Sequence, residues 1–239
     1  MGFCEKHKKR AFLICFTIEK KETMQKKLLN ERKCDIIKEQ KKRFENRKMD
    51  KERKIILASN SPRRKEILEK EGFSFQVFVP KGEEYDIIGK KYSDELVEKC
   101  AEVKARNVYV ALNTDELMIV SCDTVVVNDD IILGKPKDKL DAFNTLKSLS
   151  GKKHRVVSAV CVINNGIIKV ANEKTEVTFR KLTSDDINNY IERCKPYDKA
   201  GSYGIQDEKF NFVVDINGNI DNVIGFPMKT FKSLFNSIK

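Results

Sequence analysis

A chain of 239 residues, 40% of them apolar, can bury a sizeable core as one large domain or as a domain with an extension. Its formal charge of +11 would suit a nucleic-acid binder, but about +9 of that excess lies in residues 1–53 and the remainder is near neutral, which argues against a polynucleotide-binding core. The seven cysteines are odd in number with no CxxC pair, and His7 and His154 have no partner at metal-ligand spacing, so a disulfide framework, a zinc site and Ser-His or Cys-His catalysis are all disfavoured.

Residues 1–53 are rich in Lys, Arg and Glu and read as a basic helical or disordered extension. Ala11–Ile18 is apolar but far shorter than the ~20 residues a membrane span needs, so it is a poor signal segment, a docking patch or neither. Gly2 and Cys4 could be acylated, although Lys6 stands where a myristoylation site wants Ser or Thr. Met49 is an alternative start. The cysteine usage suits a reducing, cytoplasmic home, unless the extension is an organellar address.

Lys54–Ala58 is an apolar run suited to a strand covered on both faces, broken by Ser59, Asn60 and Ser61. Ser61 as N-cap and Pro62 at the first position predict a helix running to Gly72. Its start offers unpaired N–H groups and the positive end of the dipole, and Arg63 and Arg64 add two guanidinium forks where acids are normally preferred. An anion would resolve that conflict; two solvated surface arginines are the other reading.

Phe73–Val79 alternates as a half-buried strand and ends at Pro80, followed by Gly82, Glu83 and Glu84. The paired carboxylates are either a solvated turn or candidate magnesium ligands. Ser93–Tyr109 reads as a capped helix in which Lys104, beside the apolar stripe, either snorkels or enters a cleft. Leu117–Val127 predicts a central strand interrupted at Ser121–Thr124. Asp123, flanked there by polar residues, is expected at a strand end facing a cleft, where it is bonded locally, metal-bound or catalytic.

Asn128–Asp130 turns into IILGKPKD, which carries Lys135, a second cation able to reach phosphates. Asp138–Leu149 then forms a helix, giving the β-then-α alternation of an α/β sheet. Val156–Ile163 and Gly166–Ala171 flank a hairpin turn at Asn164–Asn165, and Glu173–Arg180 is a third strand, so the sheet is mixed. His154, before these strands, belongs at the surface or behind a site. Thr183 caps a helix to about Arg193, and KPYDKAGSYGIQ follows as a glycine-bearing loop in which Gln206 could read a base edge. A strand at Phe210–Ile216, a turn at Ile224–Pro227 and an amphipathic helix close the chain.

SNSPRR, the Glu83–Glu84 pair, EVKA, CDTVVV, LGKP, LSGKKH, DKAGSYGIQ and NVIGFP occur in the order seen in the Maf family, and the chain resembles that family over about Lys54–Lys239. The resemblance implies an elongated, twisted, mixed α/β sheet with flanking helices and two lobes around a cleft, similar to inosine triphosphate pyrophosphatases. It implies metal-dependent release of pyrophosphate from a nucleoside triphosphate, with Mg²⁺ as the metal and Mn²⁺ or Co²⁺ as alternatives, and it fits a homodimer. By the same resemblance Ser59, Arg63, Arg64, Lys104, Lys135 and Gln206 match substrate-contacting positions, Glu84 an acidic active-site position, and Asp123 the proposed general base; Glu84 and Asp123 are then the candidate metal ligands. Arg63, Thr124 and Gln206 together resemble the dTTP/UTP subgroup; a modified pyrimidine nucleotide is a further candidate substrate. Asp207, Glu208 and Lys209 depart from the glycine-rich turn usual after GIQ. The competing reading is a non-catalytic regulator of division that binds nucleotides or nucleic acid, with residues 1–53 as its local support.

Overall fold

The computed structural model describes residues 54–80, 85–113 and 115–238, with Glu208 by its backbone alone. The expectations placed on residues 1–53 and on Glu83 and Glu84 lie outside the described residues. Strand β1 (Ile55–Leu57) is wholly buried and leads into helix α1 (Pro62–Lys70). Pro62 stands at the helix start as expected, but Ser61 makes no side-chain cap bond. The helix ends in a Schellman motif: the Gly72 N–H donates to the Glu69 carbonyl at 3.0 Å and the Phe73 N–H to the Leu68 carbonyl at 3.0 Å.

Then follow β2 (Phe75–Val77), α2 (Asp94–Leu112), β3 (Met118–Asn128) and β4 (Ile131–Leu133). Next come α3 (Lys139–Leu149), β5 (Lys153–Asn164), β6 (Ile167–Phe179) and α4 (Ser184–Cys194), the last with a Thr183–Asp186 capping box. After two 3₁₀ turns the chain ends with β7 (Val213–Asn217), α5 (Ile220–Ile224) and α6 (Met228–Ser237).

The strands form one seven-stranded mixed sheet in the order β2-β1-β3-β5-β6-β7, with β4 also paired to β3. β1 is parallel to β2 and β3, and the remaining pairs are antiparallel. Two expectations are corrected. Leu117–Val127 is not interrupted, because Ser121–Thr124 stay in register with Ser158–Cys161 of β5. The strands expected at Gly166–Ala171 and Glu173–Arg180 are one thirteen-residue strand, β6, since the whole of β5 pairs with it.

Side-chain alternation along β3 divides the core. On one face Met118, Val120 and Cys122 join Leu68 of α1 and Phe231 of α6 in an apolar cluster. Further along the same face, Val126 joins Leu146 of α3, Ile187 of α4 and Phe179 in a second cluster. Between the two clusters, on that same face, lie Thr124 and its cross-strand partner Ser158. The opposite face is covered by α2, whose Val97, Ala101, Ala105 and Val108 are fully buried, and Ser121 Oγ donates to the Ala101 carbonyl at 2.5 Å. Among the described residues no helix is long and apolar enough to cross a membrane.

Candidate active site

β5 occupies one edge of β3 throughout Ile119–Val127, so β1 and β4 share the other edge. β1 stops pairing at Val120, where the Ala58 N–H donates to the Val120 carbonyl at 2.7 Å, and β4 begins only at Val126. Ser121–Val125 therefore have an open edge, and there the sheet gives way to a cleft of about 1050 Å³. Because the edge is open, alternate residues reach the cleft from opposite faces: Asp123 from the α2 side and Thr124 from the side of α1 and α5. Asp123 does face a cleft as expected, but from mid-strand and not from a strand end.

On the Thr124 side the chain after β1 turns sharply through Ser59 into α1, and Arg64 projects back over the strand. Its Nε donates to the Gly225 carbonyl at 2.9 Å, Nη1 to Ser59 Oγ at 3.0 Å and Nη2 to Thr124 Oγ1 at 3.1 Å. Thr124 Oγ1 in turn lies 2.9 Å from Ser158 Oγ, which donates onward to the Asn222 carbonyl at 3.1 Å, and 3.3 Å from the Gly225 carbonyl, so its one proton is shared between Ser158 and Gly225. All of Arg64's partners among the described residues are neutral, and no described carboxylate forms an ion pair with it. Among the described residues two of its five N–H groups remain for a ligand, and no carboxylate there compensates its charge at a helix start. Cys122, beneath, is buried at 3.4 Å from the Gly225 carbonyl; burial pushes its thiol up, so it behaves as a small packing residue and not as a thiolate.

On the other face, α2 delivers Lys104 to the Asp123 carboxylate, with which it hydrogen-bonds. Of the two readings of Lys104 the structure selects the cleft. Both side chains keep some exposure, 28% for Lys104 and 16% for Asp123, so the carboxylate can meet water and a ligand together.

Arg63 reaches the other way, to the loop that follows α4. Its Nη1 donates to Asp198 Oδ2 at 2.7 Å and its Nη2 to the Asp198 carbonyl at 3.3 Å. Burial works to raise the Asp198 pKa, but its bonds to Arg63 and Lys199 outweigh it and hold the carboxyl below its ordinary range. The sequence reading assigned no role to Asp198 or to Ser158. An acid beside a lysine in a glycine-bearing loop was a usable signal for the first; a serine in the apolar run VVSAVCV was a faint one for the second.

The loop carries Gly201 and Gly204 as expected, and the first is required: Gly201 has φ +68°, and a Cβ there would lie 2.6 Å from Val126 Cγ2. Its N–H donates to the Gly134 carbonyl at 2.9 Å, which draws the loop against the segment carrying Lys135. Lys135 and Gln206 both line the cleft and are exposed. His154 is not at the surface. It is buried behind the cleft wall, with Nε2 2.8 Å from the Tyr203 hydroxyl, and burial lowers its pKa to about 4, leaving it neutral.

Ser59, Arg63, Arg64, Lys104, Asp123, Thr124, Lys135 and Gln206 thus converge on one cleft from segments spread over the whole described chain. Glu84, also expected there, lies outside the described residues. Among the described residues Arg63, Arg64, Lys104, Lys135 and Lys199 face Asp86, Asp123 and Asp198, five cations against three carboxylates, an excess that favours a polyanionic ligand. Among the described residues no three His, Cys, Asp or Glu side chains gather as a preformed metal cage. A hard cation carried in largely on ligand oxygens needs only one or two protein carboxylates, and Asp123 fits that requirement.

Residues 54–238 match the family model described as Maf-like protein. A dTTP/UTP pyrophosphatase of Clostridium beijerinckii is 43% identical over 188 residues, 78% of this chain and 100% of the relative. One from Dehalococcoides mccartyi is 42% identical over 186 residues, 77% of this chain and 82% of that protein. Among solved structures, a HAM1 protein from Coxiella burnetii aligns with a TM-score of 0.46 at 11% identity, covering 77% of this chain and 99% of its own.

Proposed function

Since the chain belongs to the Maf-like protein family, we propose that it hydrolyses nucleoside triphosphates, dTTP and UTP in preference, to the nucleoside monophosphate and pyrophosphate. The observation that carries this reading is the open edge of β3, where a carboxylate, Asp123, and a guanidinium, Arg64, whose described partners are all neutral, meet from opposite faces of the sheet.

The triphosphate lies across the start of α1, where the helix N–H groups, the two remaining donors of Arg64 and the side chain of Arg63 receive its oxygens. Lys135, which also lines the cleft, adds a further cation for the phosphates. A phosphate arriving at Arg63 competes with Asp198, an exposed partner whose ion pair is worth at most ~1 kcal/mol, so the exchange is easy. Asp123 accepts a proton from a water placed in line with a phosphorus of the α–β bridge, and Lys104 holds the carboxylate oriented. The water oxygen bonds that phosphorus as its bridging P–O bond breaks, separating nucleoside monophosphate from pyrophosphate. Asp123 would also hold Mg²⁺, or Mn²⁺ or Co²⁺ in its place, together with substrate oxygens and Glu84; bound there, the metal would neutralise charge on the phosphates. Positioning and electrostatics supply most of the rate in such chemistry.

Base preference is assigned to Gln206. Its amide both donates and accepts, as does the imide edge of uracil and thymine. Modified pyrimidine nucleotides share that edge and are included in the proposed substrate class. Two copies of the chain form the working unit, each with its own cleft.

The test is pyrophosphate release by the full chain with Mg²⁺, against a panel of canonical and modified nucleoside triphosphates. Faster turnover of dTTP and UTP than of purine nucleotides supports the reading. A folded sample that turns over no nucleotide with Mg²⁺, Mn²⁺ or Co²⁺ sinks it and favours a nucleotide-binding regulator.

A further inference from the structure

We infer that Tyr190 and Asp207 clamp the turn carrying Gln206 and thereby set the base preference, making both of them positioning residues; this rests on the pyrophosphatase reading above. The Asp207 N–H donates to the Gly204 carbonyl at 3.1 Å, closing a four-residue turn with Ile205 and Gln206 at its two central positions. Gly204, Ile205 and Gln206 line the cleft. An exposed turn of this kind is ordinarily free to rock, which would blur any reading of a base edge.

Tyr190 prevents that. It is buried on α4, its ring packed 5.0 Å from Phe210 and 4.9 Å from Phe212 between centroids. Its hydroxyl accepts from the Gly204 N–H at 2.9 Å and donates to Asp207 Oδ2 at 2.6 Å, so one rigid side chain grips both ends of the turn. Burial first, and then the bond to Asp207, push the phenol pKa well up, so it remains a donor at any working pH. The Asp207 carboxylate folds back over Gly204 so closely that a Cβ there would lie 2.8 Å from Oδ2 and 2.9 Å from Lys199 Cε. Asp207 belongs to the Asp207–Lys209 departure from the glycine-rich turn, so this chain supplies with a side-chain clamp a rigidity that backbone alone does not give.

The test compares the full chain with Tyr190→Phe, Asp207→Ala and Asp207→Asn, by steady-state kinetics on dTTP, UTP, dCTP and dGTP and by amide exchange at Gly204–Asp207. Tyr190→Phe, which loses both hydroxyl bonds, and Asp207→Ala, which loses one, predict a KM for dTTP and UTP raised about tenfold or more, with kcat changed less than about twofold. Discrimination against dCTP falls with it, and the Gly204 amide exchanges faster. Asp207→Asn stays close to the parent, because its amide oxygen still accepts from the Tyr190 hydroxyl. Folded variants with unchanged base discrimination overturn the inference, even where exchange quickens. Should Tyr190→Phe fail to fold, Asp207→Ala, which leaves the aromatic packing intact, gives the same decision. A parent chain inactive on every nucleotide would instead sink the pyrophosphatase reading itself.

Discussion

Arg64 Nη2 donates to Thr124 Oγ1 across 3.1 Å, joining a helix start to the middle of a strand sixty residues further along the chain. Thr124 accepts that bond on an oxygen lone pair, leaving its own proton for Ser158 or the Gly225 carbonyl. Replacing Thr124 by valine preserves shape and removes the acceptor. It should cost about 1–3 kcal/mol of stability and lower kcat/KM about tenfold or more, as Arg64 loses one of its three anchors. Denaturant titration and steady-state kinetics check this; an unchanged kcat/KM would mean that Arg64 does not touch substrate.

Asp123→Asn keeps an oxygen to accept from Lys104 while removing the base. Turnover should fall by at least about 10²-fold. Thermal stability should change little, since the side-chain volume is conserved. A variant with parental kcat would exclude Asp123 as the base.

His154 makes stability depend on pH. Burial lowers its pKa from the ordinary 6.5 to about 4, so between those values the unfolded chain binds a proton that the folded chain does not. The stabilisation is complete above pH 6.5 and drains as pH falls toward 4, by roughly 3 kcal/mol across the window. Urea titrations at pH 7.5 and 4.5 should show that loss, and His154→Phe should flatten it. An equal slope in the variant would place the titrating group elsewhere.

Gly201→Ala should destabilise by about 1–3 kcal/mol, because φ +68° disfavours any side chain and its Cβ would meet Val126 at 2.6 Å. The loop that moves carries Asp198 and Gln206, so KM for dTTP should rise along with the loss of stability. Melting temperature and KM, measured on one preparation, test both; an unaltered melting temperature would contradict the crowding.

Much of the local structure was legible in the residues alone. Pro62 marks the start of α1 and Thr183 caps α4, while the hairpin turn expected at Asn164–Asn165 falls one residue later, at Asn165–Gly166, both with positive φ, because Asn164 still pairs with Ile167. The eight motifs, in order, identified the family. These features depend on a few neighbouring residues, whose sterics and hydrogen-bonding groups decide the matter wherever the segment lies. The supposed interruption at Ser121–Thr124 failed for the same reason: polar residues look like a break locally, whereas β5 keeps them in register from forty residues away.

What the sequence by itself determined, then, is the kind of element at each place and the chemistry each residue brings. Tertiary structure alone decided that β1 ends before Ser121 and β4 begins after Val125, leaving an edge at which both faces of one strand are within reach of a ligand. It also decided the pairing of Arg63 with Asp198, 135 residues apart, and the clamp of Tyr190 on Asp207. Such contacts depend on where strands stop and how helices lie over them, which are properties of the whole packed chain and of no segment within it.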